Sequence, residues 1–288
     1  MIQFADKNTK PLVRSMWKTV FGDKDEYIDL IFNQKYEDEN TLIYFDKGKA
    51  VASLQMLPYT IRFYGKPVTF YYQAGLCTLP EYRNKGYMGQ LISESFRVMQ
   101  SRNICLSILV PAEDWLFGYY EKYGYVKTFD QGEQAINLDV ILKNYSDNLD
   151  RAFEIFDRQY QQDDFIVLKT KDDLKTILEE YVQNGMLPKY NLGGMSRIID
   201  AFPLLNLYAE SNPTANFTIR VRDEQLQTNH IYKVQNGISE LTETENPDLD
   251  LNQKLLTRLL FGYKIDELPK EYTSFFKKHN PVMNLMLE

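Results

Sequence analysis

The sequence predicts an α+β protein in which a mixed, largely antiparallel sheet is flanked by helices. Residues 40–80 are rich in β-branched and aromatic side chains, and the turn sequences DKGK and YGKP divide them into successive antiparallel strands. Residues 86–99 instead repeat apolar side chains at helical intervals, and residues 104–111 form a continuous apolar run that ends at a proline. This change from meander to helix to buried strand predicts a mixed sheet.

Further helices are expected before and after these strands. Apolar residues between positions 15 and 34 recur at roughly helical intervals with a break near Gly22, which predicts two short helices. The sequence DWLFGYYEKYGYVKT, which begins at residue 114, predicts a short helix and then a strand. The sequence KDDLKTILEEYVQNG, which begins at residue 171, predicts another helix.

Length and composition narrow the class of protein. The 288 residues suggest two domains, and 44% apolar with 25% charged residues is ordinary for a globular protein. The net charge of −7 argues against a nucleic-acid partner, because such proteins normally present a basic face. The amino terminus has no signal-peptide pattern and no apolar run approaches about 18 residues. We therefore expect a cytoplasmic protein without a membrane span.

Residues that bind metals or form disulfides are scarce. The chain has two cysteines, Cys77 and Cys105, and two histidines, His230 and His279. These counts are too small for a zinc cluster or a disulfide scaffold. We expect no metal cofactor.

The sequence LCTLPEYRNKGYMGQLI, residues 76–92, connects a strand to a helix through a basic loop. Free N–H groups and the positive end of the dipole at a helix amino terminus can hold a phosphate or pyrophosphate. Gly86 allows close approach of the backbone, and Arg83 and Lys85 add positive charge. The spacing is neither the Walker lysine pattern nor the three-glycine dinucleotide pattern. Taken alone, the same residues also fit an ordinary helix start with solvated basic side chains.

These residues resemble the acetyl-CoA loop of the GNAT acetyltransferases, whose motif is Gln/Arg-x-x-Gly-x-Gly/Ala before a helix. The residues from Arg83 to Tyr87 fit the motif in order, whereas Met88 occupies the position of the second small residue and Gly89 follows one position late. The resemblance implies acetyl-CoA as cosubstrate, with its thioester carbonyl polarised by a strand N–H. The cofactor-binding residues it implies are Leu76, Cys77, Thr78, Arg83, Asn84, Lys85, Gly86, Tyr87, Met88 and Gly89.

The resemblance also implies a tyrosine that protonates the leaving thiolate. The segment Tyr120-x-x-Tyr123-Gly124-Tyr125 is similar to the Tyr-x-x-Phe-Gly-Tyr pattern of Eis-type acetyltransferases, which makes Tyr120 the candidate acid. Tyr119 is its nearest rival, and a packing role is the alternative for a chain with 21 tyrosines. We assign Cys77 packing and backbone contact, because direct transfer needs no thiol.

The base that accepts the proton of the amine is less defined. In Eis-type enzymes the terminal carboxylate reaches the active site, and the apolar tail NPVMNLMLE suggests the same role for the α-carboxylate of Glu288. A frayed terminus is the ordinary alternative. Glu113 and Asp114 are alternative bases or amine anchors, although acidic residues before a helix also simply favour its dipole.

Four stretches of the carboxy-terminal third resemble the sterol-carrier-protein-like (SCP2-like) domain of the Eis type: GGMSRIIDAFPLLNLYAE (193–210), FTIRVRDEQLQTN (217–229), DLDLNQKLLTRLLFGYK (248–264) and FFKKHNPVMNLMLE (275–288). The predicted division is a GNAT domain in residues 1–135, a connecting segment or shortened second GNAT-like region in 136–190, and an SCP2-like α+β domain in 191–288. For residues 136–190 we expect one connecting strand, charged turns and one helix.

The sequence therefore predicts an N-acetyltransferase that moves an acetyl group from acetyl-CoA to an amine by direct attack. The expected partner is a small-molecule or lysine-like amine, with a homo-oligomer left open and no nucleic acid. The alternative is a catalytically inactive protein that binds CoA or, through the SCP2-like module, a lipid.

Overall fold

The computed structural model describes residues 1–145 and 148–286. The strands are β1 (Ile2–Phe4), β2 (Thr41–Asp46), β3 (Lys49–Phe63), β4 (Lys66–Thr78), β5 (Leu106–Leu109), β6 (Val126–Phe129), β7 (Val167–Leu168), β8 (Gly194–Ile198), β9 (Asn216–Asp223), β10 (Thr228–Gln235), β11 (Ile238–Leu241) and β12 (Leu249–Asn252). The helices are α1 (Lys10–Phe21), α2 (Asp25–Gln34), α3 (Tyr87–Ser101), α4 (Asp114–Glu121), α5 (Asp139–Tyr145), α6 (Leu149–Tyr160), α7 (Lys171–Gln183), α8 (Ala201–Ser211), α9 (Gln253–Leu260) and α10 (Lys270–Thr273).

The first sheet has the strand order β1-β2-β3-β4-β5-β8-β6, and the short β7 pairs with β3. The pairs β2–β3 and β3–β4 are antiparallel, whereas β4–β5 is parallel. This arrangement confirms the predicted meander, helix and buried strand.

Strand β8 lies inside the first sheet, although it begins at Gly194, 65 positions after β6 ends at Phe129. It pairs antiparallel with both β5 and β6. Residues 194–198 thus hydrogen-bond into the sheet of the amino-terminal region, across the predicted boundary at residue 190. The three-part division remains a prediction, with this strand as an element that crosses it.

Residues 136–190 are more helical than their sequence predicted. This segment contains α5, α6 and α7, and the expectation of a single helix there was wrong. Asn148 caps α6 by accepting from two backbone N–H groups, and Thr170 caps α7 in a capping box with Asp173. Residues after the segment build a second sheet with the order β11-β10-β9-β12, in which β12 is parallel to β9.

Buried side chains form three clusters around these sheets. One lies between the first sheet and α1, α2 and α5–α7, and a second lies between the opposite face of that sheet and α3 and α4. The third joins the first sheet to the second sheet, α8 and α9. Even-numbered residues of β3 such as Leu54 and Met56 face α3, because side chains alternate along a strand. The first sheet is thus covered on both faces.

Candidate active site

The site is an opening between β4 and β5. These parallel strands are paired at Tyr71 with Ser107 and at Tyr72 with Ile108. Beyond that point β4 continues to Thr78 paired with β3 on its other side, and α3 and α4 follow the two strands. Ligands bind outside the carboxyl ends of parallel strands in many α/β sheets, because loops and helix starts gather there. The opening therefore brings the predicted cofactor loop and the tyrosine-rich helix to one place.

A β-bulge bends β4 at the opening. Ser53 pairs with Cys77 and Gln55 with Ala74, so Gly75 and Leu76 together oppose one residue of β3. Gly75 has a φ of +58°, and a Cβ at this position would lie 2.5 Å from the Trp17 ring. Only glycine fits this conformation and this contact. Neither the bulge nor the contact with Trp17 was predicted from the sequence.

The predicted phosphate loop is exposed and basic. Asn84 and Gly86 both have positive φ, +61° and +77°, which turns the chain into α3. In the described part of the chain, the first backbone bond of this turn runs from the Gln90 N–H to the Gly86 carbonyl, and no acceptor is found for the N–H groups of residues 84–89. The Arg83 Nε donates to the Thr78 carbonyl at 3.3 Å. Free amides and basic side chains make this loop suited to an anion.

The two glycines of the loop have different surroundings. A Cβ on Gly86 would meet no atom within 4 Å, so solvent or a ligand can approach it. A Cβ on Gly89 would instead overlap the hydroxyl of Tyr123. Gly89 thus makes room for Tyr123, which ties the start of α3 to the segment after α4.

Tyr120 is buried in the cluster beneath α3 together with Met99 and Tyr125, and Leu76 and Met88 pack against the same cluster. Its hydroxyl has no hydrogen-bond partner among the described residues. Burial raises the pKa of Tyr120 to about 12, so the phenol keeps its proton at neutral pH. The rival Tyr119 is half-buried, and its pKa is raised by burial and by a hydrogen bond with Tyr123.

Cys77 is buried on the opposite face, where its Sγ lies 3.1 Å from the Ser53 Oγ. Burial raises the pKa of the Cys77 thiol to about 11, which keeps it protonated and a poor nucleophile. Glu113 accepts a hydrogen bond from the exposed Trp115 Nε1 at 2.9 Å, and Asp114 is exposed in the first turn of α4.

The carboxy-terminal tail is packed into the molecule as far as it is described. The Val282 N–H donates to the Phe165 carbonyl, and the Leu192 N–H donates to the Met283 carbonyl. Leu285 is buried in the cluster that also contains Cys77 and Trp17. The predicted base, Glu288, lies outside the described residues. The tail leading to it runs on the face of the sheet opposite Tyr120.

No group of three or more His, Cys, Asp or Glu side chains within residues 1–145 and 148–286 is arranged to hold a metal ion. No helix within these ranges is long and apolar enough to cross a membrane.

Comparison with solved structures reveals relatives of the same fold across the whole chain. A GCN5-related N-acetyltransferase from Anabaena variabilis is 15% identical with a TM-score of 0.72, and covers 99% of this chain and 100% of its own. One from Kribbella flavida is 13% identical with a TM-score of 0.69, covering 100% and 97%. Eis1 from Mycobacterium abscessus is 11% identical with a TM-score of 0.64, covering 98% and 99%. These likenesses confirm the predicted α+β fold.

Sequence comparison finds a similarity to a known family in the amino-terminal region. No curated protein matches the chain in sequence. Residues 2–127 match the family model described as an acetyltransferase (GNAT) domain, and this range contains the opening, the loop and Tyr120. This part of the chain is therefore similar in sequence to GNAT acetyltransferase domains.

Proposed function

We propose that the protein transfers an acetyl group from acetyl-CoA to an amine by direct attack, in the manner of the Eis type. The observation that carries this proposal is the opening between β4 and β5, with free amides of a helix start on one side and a buried phenol under α3. Acyl transfer needs a site for the carbonyl, a proton donor for the thiolate and an acceptor for the proton of the amine.

The loop of residues 83–89 binds the pyrophosphate of CoA. Its N–H groups have no acceptor in the described part of the chain, and Gly86 leaves open space above them. Arg83 and Lys85 are exposed and add charge that favours an anion. An oxygen of the pyrophosphate can therefore replace water at each amide without displacing protein atoms.

The backbone of Leu76–Thr78 polarises the thioester carbonyl. Successive N–H groups of a strand point to its two neighbours, so those of β4 that point away from β3 face the opening. The bulge at Gly75 bends the strand immediately before these residues. A backbone donor held in a rigid sheet costs no reorganisation when the oxygen gains charge.

Tyr120 protonates the leaving thiolate of CoA. Its raised pKa, about 12, means that the phenol is fully protonated at neutral pH and available as a donor. The absence of a competing partner for its hydroxyl in the described residues leaves that proton free. As the C–S bond breaks, negative charge develops on the sulfur, and the phenol donates its proton to that sulfur.

The α-carboxylate of Glu288 accepts the proton of the amine. Deprotonating a lysine-like amine at pH 7 costs roughly 4–5 kcal/mol, so an acceptor near the amine increases the reactive fraction. The tail supports this role because Leu285 belongs to the buried cluster that contains Trp17 and Cys77, on the face opposite Tyr120. Acid and base then approach the opening from its two faces.

We also propose that the second sheet with α8 and α9 is the SCP2-like module. Its four-stranded order, with β12 parallel to β9, supports an α+β unit attached to the acetyltransferase domain. A small-molecule or lysine-like amine is the proposed acceptor.

The first test measures the release of the CoA thiol from acetyl-CoA in the presence of each member of a panel of amines. Tyr120→Phe retains the ring and removes the proton, so turnover should fall by about 10- to 10⁴-fold while CoA affinity, measured by calorimetry, stays the same. Tyr119→Phe is the matched control. Unchanged turnover in Tyr120→Phe with a loss in Tyr119→Phe would assign the proton to Tyr119.

The second test adds a few Gly-Ser residues after Glu288. This retains the packed Leu285 and Met286 but displaces the carboxylate, so turnover should be lost while CoA binding remains. The same residues added at the amino terminus serve as the control. A truncation before Asn284 should have the same effect if the protein stays folded by circular dichroism. Full turnover of the extended protein would assign the base to Glu113, Asp114 or a water chain.

A further inference from the structure

A cavity of about 360 Å³ lies between the carboxyl end of α3, the start of α8 and the second sheet. Its volume falls in the range of small-molecule sites, about 300–1,000 Å³. Gln100 and Asn103 line it from the α3 side, and Gly86 caps the other end of the same helix. Fifteen residues at ~1.5 Å per residue separate the two ends by roughly 22 Å. The cavity is therefore distinct from the acetyl-CoA loop.

The charges that face the cavity are acidic. Its titratable lining residues are Asp200, Asp223, His230 and Tyr232, and no lysine or arginine lines it in the described part of the chain. The carboxylate of Asp223 is neutralised by Arg197, whose Nη2 lies 2.7 Å away. Asp200 accepts the Phe202 N–H at 3.0 Å and has no ion-pair partner among the described residues. One net carboxylate thus faces the cavity, which favours a cationic ligand over an anionic one.

A tyrosine hydroxyl offers a polar partner in the same cavity. Tyr232 is 4% exposed as a whole residue and lines the cavity, and its hydroxyl has no hydrogen-bond partner among the described residues. The hydroxyl can therefore form a hydrogen bond with a ligand in place of water. Burial and the carboxylate of Asp200 raise the pKa of Tyr232 to about 12, which keeps this hydroxyl protonated.

One part of the cavity wall is apolar and open to solvent. The rings of Phe202 and Tyr232 are stacked with centroids 6.3 Å apart. Phe202 is 39% exposed and Leu241 is 63% exposed, although both are large apolar side chains. An apolar ring placed against them would remove that surface from water.

We propose that this cavity binds a small organic cation, namely an amine that carries an apolar ring. The ammonium group lies at Asp200 and the Tyr232 hydroxyl, and the ring packs against Phe202 and Leu241. This site is separate from the acetyl-acceptor site and does not depend on the proposed transfer reaction.

The test uses three probes with one ring system and different charges: tryptamine, indole-3-ethanol and indole-3-acetate. Binding to the full chain without acetyl-CoA is measured by ligand-observed NMR and calorimetry. Tryptamine should bind about fivefold more tightly than the neutral alcohol, because the pair with the exposed Asp200 is worth no more than about 1 kcal/mol, and indole-3-acetate should bind most weakly. No tryptamine binding, or equal affinity for the three probes, would overturn the proposal.

Variants separate this cavity from the acetyl-acceptor site, which an amine can also enter. Asp200→Asn retains a good helix cap and removes the charge, so tryptamine affinity should fall about fivefold while affinity for the alcohol is unchanged. Glu210→Gln, an exposed residue of the same helix, is the matched control and should change neither. Phe202→Ala should weaken all three probes by about three- to tenfold. Equal tryptamine affinity in wild type, Asp200→Asn and Phe202→Ala would place the amine elsewhere and refute the proposal.

Discussion

The ion pair of Arg197 with Asp223 should be a strong determinant of stability. Arg197 is fully buried on β8 and Asp223 is 7% exposed at the end of β9, so the pair connects the first sheet to the second. The Arg197 Nη1 also donates to Gln253 at 3.1 Å, and the guanidinium lies 4.4 Å from the Phe96 ring. Gly124 leaves room for this guanidinium, because a Cβ there would overlap it.

The perturbation is Asp223→Asn. Asparagine retains an oxygen for the N–H groups of Gln225 and Leu226, which Asp223 accepts at 2.9 and 3.1 Å, but it leaves Arg197 without a counter-charge. Removing one partner of a buried pair costs about 3–5 kcal/mol. At an m-value of about 3 kcal/mol per molar, the urea midpoint should fall by roughly 1 M or more.

The control is Asp250→Asn. Asp250 pairs with Arg220 and Arg222 at a partly exposed site, where such a change costs about 0–1 kcal/mol. Unfolding is followed by fluorescence and circular dichroism together, so that coincident transitions support a two-state treatment. Arg197→Met combined with Asp223→Asn removes the buried charge and should recover part of the loss. Equal midpoints for the two single aspartate variants, or a double variant less stable than Asp223→Asn, would refute this reasoning.

Three other predictions concern single side chains. Burial lowers the pKa of Lys169 from 10.5 to about 7. Between these pH values the unfolded chain binds more protons than the folded chain, so the free energy of unfolding should rise with pH. Lys169→Met should abolish this rise, which is measured as the difference between the urea midpoints at about pH 7 and pH 9.5. Gly86→Val should weaken CoA binding measured by calorimetry, whereas Gly65→Val, at a glycine with a similar φ of +74°, should leave CoA binding unchanged. Equal CoA affinities of the two variants would contradict the assignment of residues 83–89 as the pyrophosphate loop. Gly89→Ala should lower the free energy of unfolding by about 1–3 kcal/mol, and with it the unfolding temperature, because the added Cβ overlaps the Tyr123 hydroxyl. Adding Tyr123→Phe should restore most of the lost stability. If the double variant is no more stable than Gly89→Ala, the contact is contradicted.

Local patterns in the sequence were sufficient for most of the first sheet and its helices. The break at Gly22 is an αL cap between α1 and α2, with a φ of +73°, and α3 begins directly after Gly86. Both features depend on neighbours within one turn of helix. Strand β8 depends instead on pairing with β5 and β6, about 70 to 90 residues away. No local propensity encodes such a partner, and the prediction placed this stretch in another domain.

Some parts of the candidate site could likewise be predicted from local sequence, and others could not. The basic loop and the pattern around Tyr120 are contiguous in sequence, so both could be proposed before the structure was considered. The bulge at Gly75 could not, because a glycine in a strand does not reveal that Trp17 packs against it. Arg197 was also missed, since a charged residue in an apolar stretch gives no indication of a partner at Asp223.

Strand β8 supports one side of the opening between β4 and β5. Strand β5 forms one wall of the opening, and its other neighbour is β8. The same strand carries Arg197, which is bound by the second sheet, and Gly194 at its start contacts Met283 of the tail. The second sheet and the tail are therefore connected to β5 through the hydrogen bonds between β8 and β5. Because the opening between β4 and β5 is the proposed path of the thioester, we expect the carboxy-terminal part to influence the geometry of the proposed reaction without touching the substrate.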